Sequence, residues 1–335
     1  MCYNETDNRR GEIKMEKFRW AYVGSGSIAN NTARSITKGD HLISAVYSTN
    51  AEKARDFAEK YGAAAYSSFE EMLSRGEFDA VYIATPHTSH AEYSLKALNA
   101  GKPVLCEKPV AVSEKEAAEM LAASRENNVY FCEAMWTWFS PVALAVKKWI
   151  DEKRIGEITG VKINYAFPGV MMSKNSRLLM PSTAGGALLD IGVYPITYCY
   201  NLFGFPDRIG CRGKLKNGID IEEKVTLGYE GFDCVLNMSL TRLKESCKIT
   251  GTLGEITIPV FHMAALASLR SESGKETFTG RTDYLTEFSR AADEIRAGRT
   301  ESLYIPHKST LDCMRIMDEC RRQMGLVYPF EEEKN

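Results

Sequence analysis

Three side chains in this sequence have the types needed to take a proton from an alcohol while its hydride leaves for a nicotinamide: Lys108, Asp190 and Tyr194. Lys108 lies in Glu107-Lys108-Pro109, directly after the apolar run Pro103-Val104-Leu105-Cys106. Asp190 and Tyr194 follow in Gly185-Gly186-Ala187-Leu188-Leu189-Asp190-Ile191-Gly192-Val193-Tyr194-Pro195. In such chemistry one group takes the hydroxyl proton, and a cation lowers that group's pKa and stabilises the alkoxide. Lys108 follows a buried strand at the edge of a sheet where doubly wound folds bind ligands, and burial there depresses an ammonium. Tyr194 is four residues after Asp190, so a helix beginning near Ala187 puts both on one face. A tyrosine is a poor base near neutral pH unless a cation stabilises the phenolate, and Lys108 is the candidate. The competing readings are a surface lysine bonded to a helix cap and a half-buried tyrosine with a satisfied hydroxyl. Gly185-Gly186 lets the backbone pass close to a ligand or a sheet, or is simply a loop before the helix.

The elements that must position these groups follow a βα alternation. Apolar runs at 18–23, 41–48, 64–66, 79–84, 103–106 and 129–133 read as strands, the first ending at glycines. Helical spacing covers 28–38, 51–61 (closed by Gly62), 69–75, 89–99 and, after the capping box Ser113-Glu114-Lys115-Glu116, a helix to Asn127. Strands and helices alternating at these lengths imply right-handed βαβ units and a doubly wound parallel sheet. After Met135 the pattern changes: a helix over 141–153, a strand over 158–166, an irregular stretch over 168–184 and a helix over 187–202. Longer alternating strands at 219–228, 234–240, 246–252 and 255–259 suit an open, mainly antiparallel sheet, and helices near 281–297 and 308–324 close the chain. The fold class is therefore α/β, divided into a dinucleotide-binding unit over 15–137 and a substrate and oligomerisation unit over 138–335. Residues 1–14 are polar and charged and read as a disordered extension, with Met15 a plausible start. Val225, Leu227, Val235, Leu236, Met238 and Leu240 supply more apolar strand surface than one face needs, which argues for an exposed apolar sheet face and a homodimer or dimer of dimers.

The turn Gly24-Ser25-Gly26-Ser27-Ile28-Ala29 sits between a strand and a helix, and a second strand follows about 20 residues on, the context that turns a weak Gly-x-Gly-x-x-Ala signal into a dinucleotide site. Gly24 permits the tight turn, Gly26 lets the backbone approach a pyrophosphate, and Ala29 allows close helix–strand packing, with the helix N-terminus at the phosphates. The second strand ends Tyr47-Ser48-Thr49-Asn50, with no acid to hold both ribose hydroxyls. Ser48 and Thr49 can bond a 2′-phosphate with Lys53 as counter-charge, which leans towards NADP over NAD. His87 and His90 flank a helix start and cap or line it; no carboxylate or cysteine nearby completes a metal ligand set. Trp136 and Trp138 alternate in an extended stretch, where one face can stack on a ring and core packing suits Trp138. Asn175 and Arg177, in the irregular stretch, can bind substrate hydroxyls.

Composition sets the outer limits. The chain has 335 residues, 44% hydrophobic and 26% charged, with a formal net charge of −2, so no basic field invites nucleic acid or anionic lipid. Nine cysteines, odd in number and scattered, form no Cys-x-x-Cys pair and suit a reducing cytosol with buried thiols. Arg9-Arg10 is followed by Gly11-Glu12-Ile13-Lys14 rather than an apolar stretch, which argues against an export signal, and no apolar run has the length of a membrane span.

Together these motifs resemble the Gfo/Idh/MocA oxidoreductase family, over about 17–330. Glu133-Ala134-Met135-Trp136-Thr137-Trp138-Phe139 and 185–195 are most similar to the branch holding dimeric dihydrodiol dehydrogenase, NADP-dependent xylose dehydrogenase and glucose–fructose oxidoreductase. The resemblance implies a Rossmann domain followed by an α/β domain, often dimeric or tetrameric through its sheet. It also implies that Lys108 contacts nicotinamide and substrate hydroxyl, that Tyr194 is the acid/base and that Asp190 positions the substrate. By the same resemblance Glu107 belongs to the cofactor site, the segment Ala84-Thr85-Pro86-His87-Thr88-Ser89-His90 lines the nicotinamide ribose, and Trp136 is an aromatic wall between the domains. Trp138 stands where that branch commonly has arginine. The expectation is an NADP-leaning dehydrogenase acting on a secondary alcohol or lactol, with a pyranose sugar preferred over an aromatic dihydrodiol because Asp190, Asn175 and Arg177 are polar. The rivals are a trans-dihydrodiol dehydrogenase, a redox glycosidase that recycles its own NAD, and a non-catalytic NADP-binding sensor.

Overall fold

A computed structural model describes residues 16–173 and 176–332. The extension at 1–14 and Asn175 lie outside the described residues.

The first half alternates β1 (Phe18–Val23), α1 (Ser27–Ile36), β2 (His41–Tyr47), α2 (Ala51–Tyr61), β3 (Ala64–Ala65), α3 (Phe69–Arg75), β4 (Ala80–Ile83), α4 (His90–Asn99), β5 (Val104–Glu107), α5 (Glu114–Asn127) and β6 (Phe131–Ala134). The strands pair in parallel in the order β3-β2-β1-β4-β5-β6. Strands buried on both faces read as continuous apolar runs, which is why 18–23 and 79–84 stand out in the sequence. The order reverses between β1 and β4, so the crevice at the carboxyl ends of these strands is the ligand side. Helix starts follow their caps: the side chains of Asn50, Ser68 and Ser113 accept the backbone N–H groups of Lys53, Glu71 and Glu116.

The chain continues through α6 (Pro141–Asp151), β7 (Ile158–Ala166), α7 (Val193–Phe203), β8 (Arg208–Lys216), β9 (Ile219–Tyr229), β10 (Phe232–Ser239), β11 (Lys244–Gly251), β12 (Gly254–Ile258), β13 (Leu266–Ser271) and β14 (Gly274–Thr279). These strands form an eight-stranded sheet in the order β14-β13-β12-β11-β7-β10-β9-β8. Only β7 and β10 pair in parallel; the other pairs are antiparallel. The sequence reading missed β8, β13 and β14. The first carries Arg208, Arg212, Lys214 and Lys216 and is largely exposed at the sheet edge, and β14 is exposed throughout, so neither has an apolar alternation to read. In β13 the buried positions are Ala267 and Leu269, and alanine is a weak strand signal.

The expected apolar outer face is not there. Val225, Leu227, Leu236, Met238 and Leu240 are all fully buried towards the domain's own helices, and Val235 alone of the six is half-buried on the other side. Lys162, Lys224, Thr226, Asn237 and Lys248 share that outer side, because the strands alternate apolar-in and polar-out. The stretch at 168–184 is irregular as expected, broken by single 3₁₀ turns at Gly169–Met171, Arg177–Leu179 and Pro181–Thr183.

Three helices end the chain: α8 (Tyr284–Arg296), α9 (His307–Met324) and α10 (Pro329–Glu332). They return to the first sheet. Phe288 of α8 packs with ring centroids 4.8 Å from both Trp20 and Tyr82, and His307 Nε2 lies 3.1 Å from the Phe131 carbonyl. The core thus runs without a break from one sheet to the other.

Candidate active site

The glycine turn is built as a phosphate cradle. Gly24 has φ of +101°, and a Cβ there would lie 2.7 Å from the Ala84 carbonyl oxygen, so only glycine lets β1 turn this close to the end of β4. Gly26 is the N-cap of α1 in extended backbone, with no side chain capping the helix and nothing within 4 Å of a notional Cβ. Its open flank and the uncapped N–H groups of the first turn make an anion-binding site. Gly26, Ser27 and Ile28 border a cavity of about 570 Å³ with Ala84, Thr85, Pro86, His87 and His90, as well as Glu107 and Lys108. In this wall the Thr85 hydroxyl is buried with no hydrogen-bond partner among the described residues. An open cradle, a free helix terminus and an orphaned hydroxyl in one wall fit a dinucleotide. Ser48, Thr49, Asn50 and Lys53 lie away from this cavity at the end of β2. Asn50 uses its side-chain oxygen to cap α2 at 2.9 Å, and Thr49 and Lys53 are exposed beside it.

At the other end of the cavity, Lys108 directly follows β5 and its Nζ donates to the Asp190 carbonyl oxygen at 2.8 Å. The expected helix over 187–202 begins differently: residues Leu188–Gly192 form a π-turn, and α7 starts at Val193. Pro195 has no N–H to offer the Asp190 carbonyl from five residues on, and the lysine supplies a donor there. Asp190 and Tyr194 still share a face. The Lys108 ammonium sits 4.4 Å above the centre of the Tyr194 ring, and Trp136 Nε1 donates to the Tyr194 hydroxyl at 3.3 Å. Arg177 donates to both oxygens of Asp190, at 2.8 and 3.3 Å. Tyr165, Phe167, Leu178, Ile191 and Tyr284 complete an apolar wall around this polar end.

The electrostatics follow from burial. It lowers the Lys108 ammonium from its ordinary value, against the pull of Asp190 and Glu107. For Asp190, burial acts to raise the carboxyl, but Arg177 and Lys108 outweigh it and hold it below its usual range. The expectation that Lys108 lowers Tyr194 is not met. Burial pushes the phenol above its ordinary value, because the ammonium is bonded to the Asp190 carbonyl and lies over the ring rather than at the hydroxyl. Burial also raises Glu107, whose oxygens accept from the Tyr82 hydroxyl at 2.5 Å and the Lys108 N–H at 3.2 Å. Burial lowers His87 to about 4 and His90 to about 3. His87 Nε2 lies 3.0 Å from the Ala184 carbonyl, and the two nitrogens of His90 each lie 2.9 Å from the carbonyls of Pro109 and Thr85. These rings tie the loops after β4 and β5 together and bind His87 to the segment before the π-turn.

Among the expected substrate residues, Trp136, Arg177, Asp190 and Tyr194 line the cavity with Lys108. Trp138 is buried and packs edge-on against Tyr198 at 5.6 Å. Tyr165 and Tyr284 were missed. Tyr165 could have been read from its place at the inward-facing end of β7, two residues after Ile163, whereas nothing local marks Tyr284, which arrives from the first turn of α8.

Comparison with known proteins sets this geometry in context. A model of the oxidoreductase family with an NAD-binding Rossmann fold matches residues 18–134, and one of the GFO/IDH/MocA C-terminal domain matches 143–257. The chain is 34% identical to scyllo-inositol 2-dehydrogenase (NADP(+)) IolU of Bacillus subtilis, covering 94% of this chain and 99% of that protein. It is 32% identical to trans-1,2-dihydrobenzene-1,2-diol dehydrogenase of Danio rerio, covering 92% and 98%. Among solved structures, the 3-ketoreductase KijD10 of Actinomadura kijaniata in complex with NADP and TDP-benzene superposes with a TM-score of 0.83 at 23% identity, over 92% of this chain and 98% of that one.

Proposed function

The chain belongs to the Gfo/Idh/MocA family and is an NAD(P)-dependent oxidoreductase, and on that premise we propose that it moves a hydride between NADP and a secondary alcohol of a polyol or sugar. One observation carries the reading: the Lys108 ammonium, the Arg177–Asp190 pair and the Tyr194 hydroxyl converge in the cavity that the glycine turn borders. Bound NADP supplies a hydride acceptor or donor at its nicotinamide ring. Gly26 and the first turn of α1 would hold its pyrophosphate, and Thr85 and Lys108 would face its nicotinamide end. Preference for NADP over NAD is supported by Ser48, Thr49 and the exposed Lys53 at the end of β2, where no acid stands.

Tyr194 carries the transferable proton. Burial raises its pKa and favours the phenol, which donates its proton to a carbonyl oxygen during reduction and is left as phenolate; in the reverse direction it is that phenolate which takes the proton of the alcohol. Lys108 stabilises negative charge on that oxygen, and Asp190, held by Arg177, orients the neighbouring hydroxyl. The walls formed by Trp136, Tyr165, Phe167 and Tyr284 suit the face of a ring, which keeps a cyclic polyol, a pyranose and a dihydrodiol all in view. A cytosolic location is supported by the eight described cysteines, all free thiols. Self-association through the outer face of the second sheet is the reading drawn from the family resemblance, and light scattering on the purified chain tests it.

The deciding experiment titrates the protein with NADPH and NADH by nicotinamide fluorescence, then screens scyllo-inositol, aldoses and trans-dihydrodiols for turnover. Tighter NADPH binding, with turnover that Lys108→Ala removes, is expected. Tight binding without turnover on any of these would overturn the dehydrogenase reading in favour of a redox glycosidase or a sensor.

A further inference from the structure

Behind the catalytic turn lies a second group of buried ionisable side chains that the chemistry above does not use. Asp220 and Glu223, both on β9, are 0% and 5% exposed. Asp220 Oδ2 accepts the N–H of Leu188, the first residue of the π-turn that carries Asp190, at 2.6 Å. Its other oxygen presses on the preceding backbone. Gly186 has φ of +132°, and a Cβ there would lie 2.0 Å from Asp220 Oδ1, so the second glycine of the pair is required by its contact with Asp220.

Asp220 Oδ1, both Glu223 oxygens and the hydroxyl of Tyr328 are buried with no hydrogen-bond partner among the described residues. Two neighbouring carboxylates that have the Leu188 amide as a donor between them cannot both carry charge in such a site at low cost. The groups facing Glu223 and its neighbours are Asp220 on the same strand, Cys211 from β8, Cys320 and Arg321 from α9, and Tyr328 and Glu331 at the end of the chain. Arg321 is the cation of this set; its two terminal nitrogens are engaged by the Val112 carbonyl, Asp318 and Glu331, while its Nε–H is buried with no hydrogen-bond partner among the described residues. Burial, with Asp220 beside it, raises the Glu223 carboxyl well above its ordinary value.

We propose that Asp220 is a positioning residue for the catalytic turn, and that Glu223 holds the proton of this acid pair and donates it to Asp220 Oδ1. The pair then carries one negative charge instead of two, and Oδ2 stays on the Leu188 amide. Ionising Glu223 sets two carboxylates against each other, pulls Asp220 off Leu188 and loosens the turn that aligns Asp190 with Tyr194. This rests on the catalytic reading of Asp190 and Tyr194 only for its consequence on rate; the anchor itself is tested without substrate.

The test uses the full chain with NADPH bound. Amide hydrogen exchange across 186–194 is expected to accelerate about tenfold or more in Asp220→Ala, the loss of one buried hydrogen bond, with 18–36 unchanged. Asp220→Asn, whose amide oxygen still accepts the Leu188 N–H, is expected to recover most of the protection. A raised carboxyl contributes stability that is full below the ordinary carboxyl range and lost as pH rises towards its folded value. The unfolding constant of the wild type should therefore rise relative to that of Glu223→Gln over this window, by up to about tenfold per pH unit. Where turnover is found, Asp220→Ala should lower kcat about a hundredfold with NADPH binding kept, and Asp220→Asn should restore it. Unaltered exchange in Asp220→Ala, or parallel pH–stability curves for wild type and Glu223→Gln, would overturn the proposal. A wild-type curve that shifts with K⁺ or Mg²⁺ at fixed ionic strength would assign the compensating charge to a cation and overturn the shared proton.

Discussion

Arg177 changes what Asp190 can do. With both oxygens accepting from one guanidinium, the carboxylate is a poor base, which suits the role proposed for it as an oriented acceptor for a substrate hydroxyl. Removing the guanidinium leaves burial unopposed by its strongest partner, so Asp190 titrates higher in Arg177→Ala. The acid limb of kcat/KM against pH is expected to move to higher pH, with a raised KM for the polyol and unchanged NADPH binding; steady-state kinetics across pH check this. Tyr194→Phe removes the proton carrier but keeps the ring under Lys108. Its kcat should fall by about 10²–10⁴, while the fluorescence titration with NADPH stays as in the wild type. The types of these residues were legible because proton transfer beside a nicotinamide needs a cation, a carboxylate and a hydroxyl. Their pairings were not. That Lys108 bonds a backbone carbonyl, and lies over the tyrosine ring instead of at its hydroxyl, depends on a π-turn that no local spacing announces.

At the scale of elements, the two glycines of the nucleotide turn do different work, and substitution separates them. Gly24→Ala forces a Cβ into the Ala84 carbonyl at a positive φ, so it should lower stability even without cofactor. Gly26→Ala meets nothing in the folded chain, so its urea midpoint should stay close to wild type, yet its methyl intrudes where the pyrophosphate approaches and NADPH affinity should drop. Urea denaturation and fluorescence titration on the same two variants distinguish the roles. Strands buried on both faces, such as β1 and β4, and helices with side-chain caps, such as α2 and α5, were readable because burial and capping leave marks in the local sequence. The edge strands β8 and β14 were not, because pairing along one side asks little of their side chains.

At the scale of the molecule, the chain does not keep its two sheets apart. Although α8 follows the second sheet, its Phe288 is fully buried among Trp20, Tyr22 and Tyr82 of the first, and Tyr284 from its first turn meets Trp136 at 4.9 Å. Phe288→Ala should therefore cost about 3–5 kcal/mol in a single urea transition, with the cleft losing NADPH affinity as Tyr284 shifts. Two separate transitions, only one of them moved, would mean that the sheets unfold independently. The sequence by itself determined the class of fold and pointed to the nucleotide turn and to the side chains proposed to react, because periodicity, caps and motif spacing are local properties. Only the tertiary structure decided which face of the second sheet is apolar, that Arg177 takes Asp190, that Asp220 holds the Leu188 amide behind the turn, and that Tyr284 reaches the cavity. Each of these depends on contacts between segments far apart in the chain, and burial at those contacts sets both the packing and the charge.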